Sequence, residues 1–186
     1  DINGDGYLDI AGGGPSPPYW YKNGGPPKFE FSGEILLPAS NFNSVRCLVG
    51  GDFTGTKSPD LLVATYHSQN GPSVVLFSNA GNGTFSAPTI AANPVSAGYV
   101  DYNTLVAGDF NGDTYLDFVL VSMQTQTYVY TIAWYKNNGN GKFEVSTPAI
   151  DTGPPFNTNH DSNAQSMVAG VFNSNGHLDV VFAAPL

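Results

Sequence analysis

Asp109-Phe-Asn-Gly-Asp-Thr-Tyr-Leu-Asp117 runs directly into Phe118-Val-Leu-Val-Ser122: an acidic nonapeptide, then an unbroken apolar run. Oxygen-bearing side chains at alternate positions of a tight loop point to one centre. A short apolar run bounded by turn residues reads as a strand buried on both faces. The nonapeptide recurs as Asp1-Ile-Asn-Gly-Asp-Gly-Tyr-Leu-Asp9, Asp52-Phe-Thr-Gly-Thr-Lys-Ser-Pro-Asp60 and Val171-Phe-Asn-Ser-Asn-Gly-His-Leu-Asp179. A second landmark recurs without a gap: Trp20-Tyr-Lys-Asn-Gly-Gly-Pro-Pro-Lys-Phe29, Leu76-Phe-Ser-Asn-Ala-Gly-Asn-Gly-Thr-Phe85 and Trp134-Tyr-Lys-Asn-Asn-Gly-Asn-Gly-Lys-Phe143. Repeats of roughly 50–60 residues with this strand–loop–strand–hairpin order belong to β-propeller blades.

One unit, Thr104 to Ile150, reads as four antiparallel strands. Thr104 to Gly108 is the first, followed by the acidic loop, and Leu116 to Ser122 is the second. Tyr128 to Lys136 is the third, an Asn-Gly hairpin turn follows, and Lys142 to Ile150 is the fourth. The fold class is therefore all-β, a partial set of propeller blades with units at about 1–44, 45–103, 104–163 and 164–186, the second and third complete. The first unit lacks its opening strand and the last has two strands, about three and a quarter blades in all. Closed propellers need roughly four to eight. The chain is thus expected either to be part of a longer polypeptide, preceded by further sequence, or to associate with other chains.

Composition agrees. The 186 residues include 22 Gly and 14 Pro, 13% are aromatic, and only 11% are charged. That is turn-rich and too apolar for disorder. No apolar run is long enough to span a membrane as a helix. The net charge of −9 disfavours nucleic acid. Nine of the 15 acidic residues lie in the four loops, so the charge is concentrated where a cation could sit. The single cysteine, Cys47, lies in an apolar run and is expected to be a buried thiol.

The loop chemistry points to calcium, a hard cation taking six to eight oxygens. The expected ligands are Asp1, Asn3, Asp5, the Tyr7 carbonyl and Asp9 in the first loop. In the third they are Asp109, Asn111, Asp113, the Tyr115 carbonyl and Asp117, with Thr114 where a glycine would ease the left-handed turn. The second loop offers Asp52, Thr54, Thr56, the Ser58 carbonyl and Asp60, and reads equally well with or without metal. The fourth keeps only Asn173, Asn175 and Asp179 and is expected to be empty or weak. An EF-hand is excluded by the closing Asp at position nine and the flanking strands. Three scattered histidines and one cysteine give no zinc spacing. His177 is expected to be exposed.

Asp-x-Asn-Gly-Asp-Gly-x-x-Asp followed by an apolar strand, then Asn-Gly-x-Gly-x-Phe, resembles the FG-GAP repeat, also described as VCBS-like. Such repeats build the integrin α-subunit propeller and many microbial and fungal extracellular propellers, lectins among them. The resemblance implies a secreted or cell-surface setting, structural calcium, and loops joining the first two strands of each blade, opposite the usual ligand surface. The family typically closes seven blades, from which this chain's count departs.

Ligand recognition would then fall to other loops. Tyr99, Tyr102, Asn159, His160 and Asp161 combine aromatic faces with polar groups suited to sugars. Trp20 and Trp134 alternate with Leu76 and read as packing residues. Lys22, Lys136, Lys28 and Lys142 read as solvated strand ends. Asn82-Gly-Thr84 is the one glycosylation sequon, at a hairpin tip. No nucleophile elbow, phosphate loop or zinc motif occurs, so no enzyme is expected. The reading is an extracellular calcium-stabilised module binding carbohydrate or protein. The alternatives are a self-assembling structural protein of partial propellers, or the scaffold of a polysaccharide-acting enzyme.

Overall fold

The computed structural model describes residues 1–14, 17–26, 29–34, 42–67, 71–92, 100–124, 129–146 and 166–183. Among them there is no helix, and thirteen strands form four antiparallel sheets. The first sheet holds β1 (Ile10–Gly12), β2 (Tyr19–Asn23) and β3 (Phe29–Glu34). The second holds β4 (Phe42–Gly51), β5 (Asp60–His67), β6 (Gly71–Phe77) and β7 (Thr89–Ala92). The third holds β8 (Val100–Gly108), β9 (Asp117–Gln124), β10 (Val129–Asn137) and β11 (Phe143–Val145). The fourth pairs β12 (Ser166–Gly170) with β13 (Asp179–Ala183). Within each sheet the strands lie in chain order. These are propeller blades: one of three strands, two complete, one of two.

Two strands start earlier than the sequence reading placed them. Phe42 pairs with His67 and Val100 with Gln124, so the first and second strands of each full blade extend as a long ribbon. Register shifts near Val45 and Tyr102 accommodate this extension.

The blades stack face to face, and side-chain parity assigns each residue to a seam. On β5, Leu61 and Val63 pack toward the first blade with Ile2, Trp20, Val45, Val75 and Phe77. Leu62 and Ala64, one residue out of phase, pack toward the third blade with Phe53, Leu76, Phe118, Leu120 and Tyr135. On β9, Val119 and Val121 face the fourth blade with Met167, Val180 and Phe182. The strands therefore carry continuous apolar runs because both faces are covered. Phe118 stacks on Tyr135 at 4.6 Å and meets Phe143 edge-on at 4.9 Å. Burial pushes the Tyr135 hydroxyl up to about 12. Trp20 is buried and Trp134 packs on the third seam, as packing residues should. Cys47 is only partly buried, because the register shift between Val45 and Cys47 carries it to the margin of the core. No helix of the described residues is long and apolar enough to cross a membrane.

Candidate functional site

The first three acidic loops are each wound around their first aspartate. Asp1 Oδ1 accepts the N–H groups of Gly4 and Asp5, and its Oδ2 accepts that of Gly6. Asn3 Oδ1 accepts the Asp5 N–H, while its Nδ2 donates to Asp5 Oδ2; the Tyr7 N–H donates to Asp5 Oδ1. The third loop repeats every contact. Asp109 accepts from Gly112, Asp113 and Thr114, Asn111 bridges to Asp113, and Tyr115 N–H donates to Asp113. Position six is left-handed in all four loops: Gly6, Lys57, Thr114 and Gly176 have φ of 91°, 67°, 75° and 77°.

The position-nine aspartates are placed otherwise. Asp9 Oδ2 accepts Ile2 N–H at 2.7 Å and Oδ1 accepts Asn23 N–H at 2.7 Å. Asp60, fully buried, accepts from Phe53 N–H, Thr54 N–H and Thr54 Oγ1 on one oxygen and from Asn79 N–H on the other. Asp117, also fully buried, accepts from Asn137 N–H and Trp134 Nε1. Burial raises the Asp117 carboxyl above its ordinary value against the pull of these donors. Among the described residues, no three His, Cys, Asp or Glu side chains gather as a preformed cluster.

Two lysines expected to be solvated are largely exposed and also paired. Lys22 Nζ lies 3.3 Å from Asp5 Oδ2, and Lys136 Nζ lies 3.4 Å from Asp113 Oδ2. The Tyr7 and Tyr115 N–H groups, helped by the Asn and Lys partners, lower the Asp5 and Asp113 carboxyls below the usual range. The sequence held a sign of this. Where position five is Asp, the facing strand carries Lys; where it is Thr56, the equivalent strand residue is Ser78.

The donor chemistry of the first and third loops suits a hard cation. Positions one, three and five offer only oxygen or amide groups, without sulfur or imidazole. A carboxylate has about four acceptor sites, so Asp1 and Asp109 keep one after three N–H bonds. The second loop is satisfied differently. Thr54 spends its hydroxyl on Asp60, and Asp52 accepts from Thr56 and Lys57 N–H. In the fourth, the Asn173 amide donates to both oxygens of Asp179, Asn175 Oδ1 accepts His177 N–H, and His177 is exposed. The Ser58 carbonyl has no described contact that bears on a metal.

The loops are also joined across seams. Asn79 Nδ2 donates to Ile2 O of the preceding blade at 2.7 Å and to Pro59 O of its own. Asn137 Nδ2 donates to Phe53 O at 2.9 Å and to Leu116 O. A continuous hydrogen-bonded belt results: Asp9, Ile2, Asn79, Asp60, Phe53, Asn137, Asp117. Sequence reasoning missed it. The signal was that Asn79 and the ninth-position Asp60 persist in the second copy, where positions three and five are Thr.

Of the expected ligand residues, Tyr99, Asn159, His160 and Asp161 lie outside the described residues. Tyr102 sits on β8 opposite Ser122, and its side chain lies outside them too. Asn82 is exposed at the β6–β7 turn. A groove of about 530 Å³ opens between the second and third blades, lined by Thr54, Ser78, Ile90, Asn140, Lys142 and Phe143 among others.

The family model described as FG-GAP-like repeat matches residues 1–63, 52–120 and 109–182, three successive copies that span nearly the whole chain. Comparison with curated proteins gave no match.

Proposed function

The chain belongs to the FG-GAP-like repeat family, and from that premise we propose an extracellular propeller-type module that calcium stiffens and that binds a carbohydrate or protein ligand. FG-GAP repeats are typical of extracellular proteins. The observation that carries the calcium reading is the identical wiring of the first and third loops, whose fifth-position carboxylates already attract one cation each. Asp1, Asn3, Asp5, the Tyr7 carbonyl and Asp9 would hold one ion. Asp109, Asn111, Asp113, the Tyr115 carbonyl and Asp117 would hold the other. The ion would supply positive charge to loops whose acidic side chains otherwise repel one another, and so a structural role rather than a catalytic one. Ligand contact falls to surfaces away from these loops. The groove beside Phe143 and Asn140, apolar wall next to amide and ammonium, has the mixed character that sugars and peptides require.

Metal bound only by the native state raises stability by mass action. The melting temperature should therefore fall when chelator replaces millimolar calcium, and Asp113→Ala should remove much of the third loop's share. Identical melting with and without chelator would overturn the calcium reading. The ligand reading is tested separately, by a glycan array and a cell-surface pull-down in millimolar calcium. Blanks in both would overturn it.

A further inference from the structure

Three positions at which the second blade departs from both the first and the third line one groove. At the third position of its acidic loop stands Thr54, where those blades have Asn3 and Asn111. On the strand leading to its hairpin, Leu76 takes the place of Trp20 and Trp134, and just beyond that strand Ser78 takes the place of Lys22 and Lys136. Each change exchanges a larger side chain for a smaller one. All three residues border the groove of about 530 Å³ between the second and third blades.

At the first seam the matching space holds an indole. A Cβ added at Gly83, in the second blade's hairpin, would meet the Trp20 ring at 2.7 Å, and Trp20 is buried. A Cβ added at the equivalent Gly141, in the third blade's hairpin, would meet Leu76 Cδ2 at 2.7 Å and the Thr54 methyl at 3.1 Å. Leucine reaches the hairpin glycine but lacks the breadth of an indole. The second blade also does without the indole's hydrogen bond. In the third blade Trp134 Nε1 donates to Asp117 Oδ2; in the second, Thr54 Oγ1 donates to Asp60 Oδ2. The groove therefore opens without leaving the buried Asp60 short of a donor.

The groove has a definite chemistry. Ile90, 58% exposed, and Phe143 give it apolar walls beside the buried Leu76. Ser78 and Asn140 add a hydroxyl and an amide. Its one charged residue is Lys142, exposed and without an acidic partner among the described residues, on a chain whose net charge is −9. Ile90 belongs to β7, the edge strand of its sheet. An edge strand leaves a row of main-chain N–H and C=O groups unpaired. An extended peptide can add to such an edge, its backbone bonding to the strand and its alternate side chains entering the adjoining pocket.

On the ligand reading above, we propose that this groove binds an extended peptide carrying an apolar and an acidic side chain at alternate positions. The peptide main chain runs along β7. Its apolar side chain enters the space beside Leu76 and Phe143, and its carboxylate meets Lys142. The edge strand and the lone ammonium favour such a peptide over a neutral sugar, which would use only the hydroxyl, the amide and the ring. The site lies at the acidic-loop end of the blades, where Thr54 and the third blade's hairpin meet, not on the opposite surface to which the family resemblance points.

A random hexapeptide library displayed on phage and panned against the chain tests it, with enriched peptides then synthesised, labelled and titrated by fluorescence anisotropy. Enriched peptides should carry Asp or Glu two residues from Leu, Ile or Phe. Leu76→Trp, which restores the indole of the first and third blades, should weaken their binding about tenfold or more. Lys142→Glu, on an exposed side chain, should do the same, with a larger effect at low salt. It decides the matter by itself should Leu76→Trp fold poorly by circular dichroism. Thr84→Glu, at the matching position of the second blade's hairpin, should bind as wild type does. Panning that enriches no acidic–apolar peptide overturns the proposal, as do enriched peptides that neither variant weakens. A glycan bound by the wild type and lost from Leu76→Trp also overturns it, by giving the groove to a sugar. The glycan array and pull-down report on the ligand reading and the two variants on the groove: a hit there that neither variant weakens leaves that reading standing and overturns this one.

Discussion

Asn137→Ala isolates the contribution of one seam bond. Its side chain is almost fully buried and holds three backbone groups: Phe53 O across the seam, Leu116 O in its own blade, and the Gly139 N–H through Oδ1. Alanine leaves all three without that partner. Phe53 O sits among buried groups and should cost about 2 kcal/mol as an orphan acceptor. Leu116 O and Gly139 N–H are part-buried and recover some water, costing roughly 0.5–1 kcal/mol each. The sum is about 3–4 kcal/mol. Asn23→Ala removes the equivalent own-blade bonds, to Leu8 O and from Gly25 N–H, at a half-buried site. It should cost about 1 kcal/mol.

The difference, about 2–3 kcal/mol, is the seam bond, and Asn79→Ala should fall with Asn137→Ala because it also reaches across, to Ile2 O. Urea unfolding in chelator measures it, at a dilution where the chain is monomeric. The midpoint should drop for Asn137→Ala and Asn79→Ala with little change in slope, since little surface changes its exposure. In thermal terms the loss is about 2–4 °C per kcal/mol for a chain of this size. Should Asn137→Ala and Asn23→Ala agree within about 0.5 kcal/mol, a level typical of independent surface changes, the belt contributes nothing and the reasoning fails.

Thr114 occupies a left-handed backbone, φ 75°, where Gly6 and Gly176 stand in the first and fourth loops. Relief of about 1–2 kcal/mol of strain, less the entropy glycine adds to the unfolded chain, predicts that Thr114→Gly stabilises by up to about 1 kcal/mol, read by melting in chelator. Acid should act on the third loop in two directions. Asp113, lowered by the Tyr115 N–H, Asn111 and Lys136, contributes stability present above its ordinary 3.8 and lost as pH falls through the lower folded value. Asp117, raised by burial, opposes this, because its charged form costs stability that protonation relieves as pH falls toward 3.8. Asp113→Asn should therefore flatten the loss below 3.8 and leave the behaviour above it unchanged, measured as urea midpoint against pH without metal.

Much of this architecture was legible in the residues. The acidic nonapeptides and gapless hairpins set the blade period, and apolar runs such as Leu61–Ala64 and Phe118–Val121 foretold strands covered on both faces. What the runs alone did not show is which neighbour each residue serves, because parity becomes a seam assignment only once the order of blades is known. The site was read less fully. Positions one, three and five share hydrogen bonds within one loop, since a tight turn brings alternate side chains together. Position nine was read as a ligand like the rest, and all four copies retain it while Thr54 stands where the other loops have Asn, and Thr56 and Val171 stand where the first and third have Asp. A carboxylate that persists when the other oxygen donors vanish has a further task, beside any metal. Here that task is to hold the second residue's N–H in the first, second and fourth loops, as at Ile2, Phe53 and Phe172.

That task links the acidic loops to the stacking of blades. The peptide whose N–H is fixed by Asp9 or Asp60 belongs to the residue, Ile2 or Phe53, whose carbonyl receives the next blade's asparagine. That asparagine's own N–H is then held by its blade's ninth-position aspartate, Asp60 or Asp117. Displacing the loop therefore displaces the acceptor on which the following hairpin rests. A cation that stiffens the first loop would be felt at the Asn79 hairpin. Stability in a stack of this kind is a sum of blade and nearest-neighbour terms. The calcium proposal and the hydrogen-bonded belt consequently make a joint demand on experiment. Asp5→Ala should weaken the first seam, exposing amides of β5 and β6 to faster hydrogen exchange in the presence of calcium, while those of β9 and β10 stay as protected as before. Uniform loss of protection over both blades would mean that the loops stabilise the whole stack without passing through the belt.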